Sequence, residues 1–280
     1  PGTYHAGFLL GPRVNAGGRV GESPLGAKLL TCDDPGEAAA LAARLDGYNA
    51  ERKEIELQVL DQAIRQVEET GPGKGLVVAA SEGWHAGVIG IVASRLKERF
   101  NKPALVVALE NGIGKGSARS VPGVDLGAAV IAARQEGLLV NGGGHPMAAG
   151  LTVAAENLAE LAAFLDARLA RRLAEIDYQP ALGIDGAMKP KAATLELLAQ
   201  LDRCAPFGVG NTQPRFALPS VKVAKASVVG ENHVRCFLGD AQGAGGGSLK
   251  GIAFRALDSD LGPALLQTAG LPLHVAGRLQ

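Results

Sequence analysis

Two continuous apolar segments on either side of an amphipathic helix constrain the fold more than any other feature of this chain. Residues 76–80 read LVVAA and residues 103–109 read PALVVAL, and both patterns are typical of buried strands. Between them, residues 88–100 place Ile89, Val92 and Leu96 on one side of a helix. A strand, a helix and a strand within about 35 residues predict an α/β unit with a buried, mixed or largely parallel sheet.

A long helical pattern precedes this unit. It runs from Pro35 to about Glu69 and carries an apolar stripe at residues 57, 60, 64 and 67. The pair Asp34-Pro35 predicts its start, Gly47 is a candidate interruption, and the GPG at residues 71–73 predicts its end. The pattern indicates a connector between domains. We expect residues 11–19 (GPRVNAGGR), which precede it, to form a surface loop.

The remaining patterns extend the α/β unit and then change texture. We expect loops at 114–120 and 141–149, helices at 125–136 and 156–175, and a strand at 150–153. After residue 177, short β-rich runs at 219–229, 234–238, 250–254 and 273–275 predict a small barrel or sandwich, with a flexible glycine-rich stretch at 243–247. The last run has no closing partner, so we expect the barrel to be cut short.

Composition excludes several protein classes. The formal net charge of zero argues against binding of nucleic acid through bulk charge. Cys32, Cys204 and Cys236 lie far apart, which indicates neither a disulfide framework nor a zinc site and makes a reducing cytoplasm the expected compartment. No apolar run approaches the roughly 18 to 20 residues that a membrane span needs. The absence of an initiating methionine suggests a fragment or a processed chain.

Three consecutive glycines, Gly142, Gly143 and Gly144, deliver His145 directly before a proline. Because glycine costs conformational entropy, such a run indicates that something approaches the backbone closely. Pro146 restricts His145 to extended or turn geometry, so we expect the imidazole to be presented from a loop. Bare N–H groups beside an imidazole favour an anionic ligand.

The segment 114–120 (GKGSARS) combines cations and hydroxyl groups with small residues. Lys115, Ser117, Arg119 and Ser120 can supply donors to a phosphate that approaches the backbone closely. A solvated turn is the alternative interpretation. Ser117 is not favoured as a nucleophile, because no Gly-x-Ser-x-Gly elbow surrounds it.

Two further groups suit a ligand of the same kind. Trp84 and His85 lie between the first strand and its helix, where α/β sheets bind ligands, so they could stack on a base and bind a phosphate. A core tryptophan and a helix-capping histidine are the alternative. Arg13 and Arg19 could clamp phosphates from their glycine-rich segment, but alone they are weak evidence.

Basic and aromatic residues interleave in the predicted barrel. Arg235, Lys250 and Arg255 alternate with Phe237 and Phe254, as on surfaces that bind single-stranded nucleic acid. The alternative is that both phenylalanines belong to the core.

The sequence predicts no metal site. Metal-dependent phosphodiester hydrolysis needs clustered carboxylates, and the chain has no Asp-His-His triplet. The Asp-x-Asp formed by Asp258 and Asp260 has no histidine nearby and is expected to be a solvated turn or a helix start. A helix start explains Asp33 and Asp34 equally well.

Five motifs, taken in order, resemble the RecJ family, bacterial single-strand-specific 5′→3′ DNA exonucleases of the DHH phosphoesterase superfamily. They are GPRVNAGGR (11–19), EGWHAGVIGIVA (82–93), GSARS (116–120), GGGHPMAAG (142–150) and PFGVGN (206–211). The glycine-histidine motif alone indicates only the superfamily, which includes oligoribonuclease-type enzymes. The motifs at 82–93 and 206–211 point to RecJ.

The resemblance implies an α/β DHH-associated domain with a mixed sheet, preceded by a long connector helix and followed by an oligonucleotide-binding (OB) β-barrel. The implied boundaries are 1–47 for the tail of the DHH catalytic domain, 48–75 for the connector helix and linker, 76–176 for the DHH-associated substrate-binding domain, and 177–280 for an incomplete OB-fold domain. The domain that binds two Mn²⁺ or Mg²⁺ ions in this family is then mostly missing, and we expect the chain alone to bind no metal.

The resemblance also assigns roles to residues. It places His145 and Gly142, Gly143 and Gly144 near the scissile phosphate, Ser117 and Arg119 at the 5′ phosphate, and Arg13 and Asn15 beside the cleft. Trp84 and His85 match a family motif of less certain role. The expected activity is the substrate-binding part of a monomeric exonuclease of DNA repair and recombination, with a single-strand-binding protein or a helicase as further partners. An oligoribonucleotide phosphodiesterase and a non-catalytic binding module are the alternatives.

Overall fold

The computed structural model describes residues 2–208, 210–240, 248–268 and 270–280. The chain divides into two compact units, Pro1–Pro180 and Ala181–Gln280. The glycine-rich stretch predicted at 243–247 lies outside the described residues. Within the described ranges, no helix combines the length and apolar character that a membrane span needs.

The first unit begins with short helical segments instead of the predicted surface loop. They are a π-helical turn (His5–Leu10), α1 (Gly11–Val14), α2 (Gly17–Val20) and α3 (Leu25–Leu30). The loop prediction for residues 11–19 was wrong, because glycines in and after this segment allow its short helices to pack closely. A Cβ at Gly17 would lie 2.5 Å from the carbonyl oxygen of Glu22, and a Cβ at Gly26 would overlap that of Val14.

A single helix of 36 residues, α4 (Pro35–Thr70), follows. The Asp34 carboxylate accepts a hydrogen bond from the Glu37 N–H at 2.6 Å and caps the helix, and Gly71 ends it at a φ of +86°. Gly47 does not interrupt it. Leu41 and Leu45 pack against the preceding short helices, whereas its second half packs against the sheet.

The α/β part contains a five-stranded sheet in the order β1-β2-β3-β5-β4. Its elements are β1 (Val77–Glu82), α5 (Ile89–Phe100), β2 (Ala104–Glu110), β3 (Ile113–Arg119), α6 (Leu126–Gln135), β4 (Asn141–His145), β5 (Ala148–Ala154) and α7 (Leu158–Glu175). Strands β1 and β2 are parallel and the other pairs are antiparallel, so the sheet is mixed.

Each face of this sheet carries its own apolar core. Helix α5 and the second half of α4 cover one face through Val59, Val92 and Leu96. Helices α6 and α7 cover the other through Val130, Leu161 and Leu165. This is the layered arrangement that the apolar patterns predict.

Two predicted loops are strands. Residues 114–120 mostly form β3, and the glycine-histidine segment forms the edge strand β4 and its turn to β5. Their glycines provide room for neighbouring side chains. A Cβ at Gly116 would lie 2.5 Å from Leu151 Cδ1, and a Cβ at Gly142 would lie 3.0 Å from Val130 Cγ1.

The second unit is a curled antiparallel sheet in the order β10-β7-β8-β9, with the short β6 paired to β7. Its elements are β6 (Gly186–Ala187), α8 (Leu195–Asp202), β7 (Phe216–Val229), β8 (His233–Asp240), β9 (Leu249–Ala253), α9 (Leu261–Leu266) and β10 (Leu273–Gly277). Alternate residues of β7 and β8, among them Val221, Val234 and Leu238, form the core on one face. Among the described residues, β9 and β10 lie at opposite edges, so this half-barrel is open.

Candidate functional site

On one face of the first sheet, the helices of the described residues cover β1 and β2 and reach β3, but do not extend over β5 and β4. In β3, the residues Gly114, Gly116 and Ala118 are buried toward α6 and α7, so the residues between them point to the α5 side. Helix α5 reaches only as far as β3 on that side, where a Cβ at Gly90 would lie 3.1 Å from Ser117 Oγ. We call the uncovered α5 side of β3, β5 and β4 the open face.

The strand register arranges the open face in three rows. Directly paired residues of β3, β5 and β4 lie side by side on the same face. The rows are Lys115–Thr152–Asn141, Ser117–Gly150–Gly143 and Arg119–Ala148–His145. The sheet thus places the predicted Lys115, Ser117, Arg119, Gly143 and His145 on one surface.

Arg119 and Ser117 form a fixed pair on this face. Arg119 Nη1 donates to Ser117 Oγ at 3.1 Å and to the Ala118 carbonyl oxygen at 2.9 Å. Burial, and secondly the positive charge of Arg19, lower the pKa of the Arg119 guanidinium from its ordinary value. The pair is therefore partly desolvated and lies close to the positive charge of a second arginine.

Arg19, which was only weak evidence for phosphate binding in the sequence, lies close to this pair. Its Nη1 donates to the Gly87 carbonyl oxygen at 3.1 Å, and a Cβ at Gly87 would overlap the Arg19 carbonyl, so α2 packs directly on the turn before α5. Within the described residues, Arg19, Lys115 and Arg119 form no ion pair with any carboxylate. Unneutralised cations that converge in this way favour an anion.

His145 lies at the end of β4 with a defined tautomer. Its Nδ1 accepts a hydrogen bond from the Met147 N–H at 3.1 Å, so in the neutral ring Nε2 carries the proton. The side chain is exposed at the same end of the open face as Arg119. Its free Nε2–H can donate to a ligand that lies on the face.

The glycines of the β4 segment divide into two kinds. Gly142 and Gly144 face neighbouring atoms, and a Cβ at Gly144 would lie 2.6 Å from Ala149 Cα. A Cβ at Gly143, or at its partner Gly150, would meet nothing within 4 Å. The first two glycines serve packing, whereas Gly143 and Gly150 leave a flat strip of backbone on the open face.

Several residues singled out from sequence have other contacts. Trp84 is 8% exposed in the core and its Nε1 donates to Gln62 Oε1 at 2.7 Å, which corresponds to the packing alternative. Arg13 forms an ion pair with Asp46 of α4 at 2.7 Å instead of joining Arg119. Asn15 is exposed at the end of α1.

His85 lies in the turn against which Arg19 packs. Its Nδ1 accepts a hydrogen bond from the Gly87 N–H at 3.0 Å, and the ring is exposed. The turn thus presents the Nε2 of His85 to solvent near Arg19.

The second unit has a basic and aromatic outer face, opposite its core. Register puts Lys225, Phe237 and Lys250 side by side, and the next row contains Arg235. Phe254 follows β9, is 67% exposed and lies edge-on to His233 with ring centroids 5.4 Å apart. Neither Phe237 nor Phe254 belongs to the core, so the core interpretation of both was wrong.

Arg235 and Arg255 differ in how they are held on the second unit. Arg235 donates to Ser227 Oγ at 3.4 Å, and its Nε is buried without a hydrogen-bond partner among the described residues. Arg255 is exposed, and its backbone N–H donates to His233 Nδ1 at 2.9 Å.

Comparison with known proteins assigns both units. The DHHA1 domain model matches residues 73–171, and the RecJ OB domain model matches residues 184–280. The single-stranded-DNA-specific exonuclease RecJ of Bacillus subtilis is 37% identical over 233 residues, which cover 82% of this chain and 29% of the relative. RecJ of Escherichia coli is 35% identical, with 92% of this chain and 45% of the relative covered. This chain belongs to the RecJ family.

A solved RecJ structure agrees with this assignment. The crystal structure of Thermus thermophilus RecJ in complex with Mn²⁺ aligns with a TM-score of 0.74 and 28% identity, and covers 91% of this chain and 36% of that chain. A Mg²⁺ complex from the same organism gives a TM-score of 0.71 at 30% identity, and covers 85% of this chain and 36% of that chain. The chain therefore spans less than half the length of these RecJ relatives.

The residues of this RecJ homologue do not fit a metal ion. In the part of the chain that the structure describes, no group of three or more His, Cys, Asp or Glu side chains could hold one. The Asp258 carboxylate accepts hydrogen bonds from Asn232 Nδ2 at 2.9 and 3.0 Å, and Asp34 caps α4.

Proposed function

We propose that this chain binds the 5′-phosphorylated end of single-stranded DNA on the open face, as the substrate-binding part of a metal-dependent 5′→3′ exonuclease of DNA repair and recombination. The observation that carries the proposal is the convergence of Arg119, Ser117 and Arg19 beside a strip of bare backbone, where no carboxylate among the described residues forms an ion pair with either arginine. Membership of the RecJ family supports the choice of single-stranded DNA as the polymer.

In this proposal the 5′ phosphate binds to Arg119, Ser117 and Arg19. Charge-assisted hydrogen bonds from a half-buried guanidinium are stronger than those of a solvated one, because little water has to be displaced. The desolvation and the field of Arg19 that lower the pKa of Arg119 are both offset when a dianionic phosphate arrives. A terminal phosphate carries more charge than an internal one, which favours the strand end.

His145 acts on the next phosphate along the strand. Neighbouring strands lie about 4.8 Å apart, so the backbones of Arg119 and His145, separated by β5, are about 10 Å apart. Two long side chains at that spacing can contact consecutive phosphates. His145 Nε2–H then donates to an oxygen of the scissile phosphate and stabilises charge in the transition state.

The remaining parts of the protein have supporting roles in the proposal. Residues 1–47 belong to the end of the DHH catalytic domain, 48–75 connect it to the DHH-associated domain at 76–176, and 177–280 form the OB-fold domain. The outer face of the second unit binds single strands through Phe254, Lys250 and Arg235. The Mn²⁺ or Mg²⁺ chemistry belongs to DHH residues outside these 280. The compartment is the cytoplasm, and a single-strand-binding protein or a helicase remains a predicted partner.

The proposal is tested by measuring the affinity of this chain for 3′-labelled oligonucleotides. We expect a 5′-phosphorylated single strand to bind about tenfold more tightly than the same strand with a 5′ hydroxyl, a difference of about 1.4 kcal/mol. Binding is expected to weaken with salt, because phosphate contacts release counterions. Equal affinity for the two ends, or salt-independent binding, would contradict the proposal.

Two controls separate the alternatives. A preference for short RNA over DNA of the same sequence would favour an oligoribonucleotide phosphodiesterase. The chain alone, given Mn²⁺, is expected to release no nucleotides. Cleavage that co-purifies with the wild-type chain and is lost in His145→Ala would refute this part of the proposal.

A further inference from the structure

The turn that follows His145 is held by the segment after β3. The Ser120 N–H donates to the Met147 carbonyl oxygen at 2.9 Å, and the Leu126 N–H donates to the Pro146 carbonyl oxygen at 3.1 Å. Both carbonyl groups of the two-residue turn therefore accept hydrogen bonds from one short stretch, residues 120–126. The position of the turn depends on the shape of that stretch.

A buried hydroxyl fixes this shape. Ser120 is 1% exposed, and its Oγ donates to the Val124 carbonyl oxygen at 2.8 Å. The Val124 N–H donates to the Val121 carbonyl oxygen at 3.3 Å, and Asp125 caps α6 by accepting from Ala128 N–H at 2.9 Å. Residues 120–126 are therefore held at one end by the hydrogen bond of Ser120 and at the other by the start of α6.

The hydrogen bonds continue to the imidazole. Met147, whose carbonyl accepts from Ser120, donates its own N–H to His145 Nδ1 at 3.1 Å. The first turn of α6 packs on the same place, since a Cβ at Gly127 would lie 3.0 Å from the Gly144 carbonyl oxygen. Arg119 directly precedes Ser120, so the residue with the buried hydroxyl links Arg119 to the turn that holds His145.

We propose that Ser120 is a positioning residue that fixes the tautomer and orientation of His145 and its spacing from Arg119. This inference rests on the proposed function of the open face. It assigns to Ser120 no contact with the substrate, because its hydroxyl is buried and its hydrogen bond is made to the backbone.

The test follows the imidazole directly. Two-bond ¹H–¹⁵N correlation spectra of the 280-residue chain report which ring nitrogen of His145 carries the proton. We expect a single Nε2–H tautomer in the wild type, an averaged tautomer in Ser120→Ala, and the wild-type signal in Ser120→Thr, which keeps the hydroxyl. Because Ser120 also sets the spacing of Arg119, affinity for the 5′-phosphorylated strand is expected to fall about tenfold in Ser120→Ala, close to the loss of one hydrogen bond to a charged group.

Thr70→Val is the matched control. It removes a hydroxyl that donates to the Gln66 carbonyl oxygen at 2.8 Å at the end of α4, and it should leave both readouts unchanged. A fixed Nε2–H tautomer in folded Ser120→Ala would overturn the inference. If the wild type does not bind a 5′-phosphorylated strand more tightly than a 5′-hydroxyl strand, the proposed function is wrong. The tautomer of His145 in Ser120→Ala then still tests whether Ser120 positions the imidazole.

A second measurement needs no variant. Hydrogen exchange in the wild type should show the amides of Ser120, Leu126 and Met147 protected to a similar degree, because the three hydrogen bonds open together. Fast exchange at Met147 beside slow exchange at Ser120 would show that the imidazole is not coupled to the buried hydroxyl, and would overturn the inference even if Ser120→Ala failed to fold.

Discussion

The open face of the first unit and the outer face of the second unit both suit a polyanion, but they are built differently. On the open face, Arg119 is half-buried and held by two hydrogen bonds, and the surrounding positions are glycine, alanine and serine. On the outer face, Lys225 and Lys250 are exposed and flank Phe237. One surface offers few donors that are held by hydrogen bonds, and the other offers exposed cations beside aromatic rings.

The difference indicates two kinds of recognition. A desolvated, positioned guanidinium discriminates between ligands, because a group of the wrong charge or placement leaves it unpaired. Solvated lysines and exposed rings bind any single strand with little preference, because every nucleotide has a phosphate and a base with a π-face. We therefore expect the open face to read the strand end and the outer face to retain the strand.

The largest expected effect concerns His145, in a complete enzyme that carries this chain. His145→Ala should lower kcat on the order of 100-fold, the lower range for loss of a positioned proton donor. Substrate affinity should change less than about threefold, because the contact strengthens in the transition state. Single-turnover kinetics and DNA titrations measure the two quantities separately.

The control for this prediction is His5→Ala, since His5 Nδ1 also accepts a backbone N–H, from Gly2 at 3.0 Å, but lies on the first helical turn. Equal losses in turnover and binding for His145→Ala would assign it to ground-state binding. The two surfaces would then differ less than proposed.

The next effect tests whether the hydrogen-bonded arginine of the open face recognises the 5′ phosphate. Arg119→Ala should remove the preference for a 5′ phosphate, a loss of about 1.4 kcal/mol, which is close to the value of one hydrogen bond to a charged group. Arg134→Ala, at an exposed arginine in the last turn of α6, should leave the preference intact. Competition binding with 5′-phosphate and 5′-hydroxyl strands measures it. A preference that survives Arg119→Ala would place the terminal phosphate elsewhere.

Most of the fold could be predicted from local patterns, and the exceptions have a common cause. Helix α4 and strands β1 and β2 show their apolar period directly in the sequence. Strands β3 and β4 do not show an apolar period, because glycines occupy core-facing positions in both. Only glycine fits at Gly116 and Gly142, because Leu151 and Val130 of other elements fill the adjacent space. Glycine in a sequence indicates room for the backbone, but only the neighbouring element shows what fills that room.

The residues of the candidate site likewise include some that the sequence identifies and some whose role depends on distant partners. Ser117, Arg119 and His145 were identified because their residue types suit phosphate whatever lies beside them. Trp84 and Arg13 could not be judged from sequence, because their partners Gln62 and Asp46 lie 22 and 33 residues away on α4. The same packing brought Arg19, which had seemed weak evidence, next to the turn before α5.

A smaller effect is expected for the glycines of β4, and it should differ between Gly144, which packs against β5, and Gly143, which faces open space. Gly144→Ala should destabilise the chain by about 1 to 3 kcal/mol, because the new methyl group would overlap Ala149 backbone. Gly143→Ala meets open space and should stay within about 0.5 kcal/mol of the wild type. Thermal unfolding measures both. If DNA covers the strip, only Gly143→Ala should weaken binding without loss of stability, and unchanged binding would mean that the strand does not cross β4.

The smallest effects are expected on the outer face, where each contact is one of several. Phe254→Ala should cost about 1 kcal/mol of single-strand affinity, the lower value for one stacked base. Lys225→Ala should reduce the salt slope of log K by about 0.7, the value for one phosphate on a single strand.

Lys28→Ala is the control for the salt slope. Lys28 is paired with Glu37 at 2.8 Å, and the hydrogen bond and charge of that carboxylate raise the pKa of Lys28. A cation that is already neutralised releases no counterion on DNA binding, so its removal should leave the slope unchanged. Both outer-face variants should weaken 5′-phosphate and 5′-hydroxyl strands equally. If Lys225→Ala instead changed the ratio between the two ends, the outer face would also read the strand end, and the division of recognition between the surfaces would be wrong.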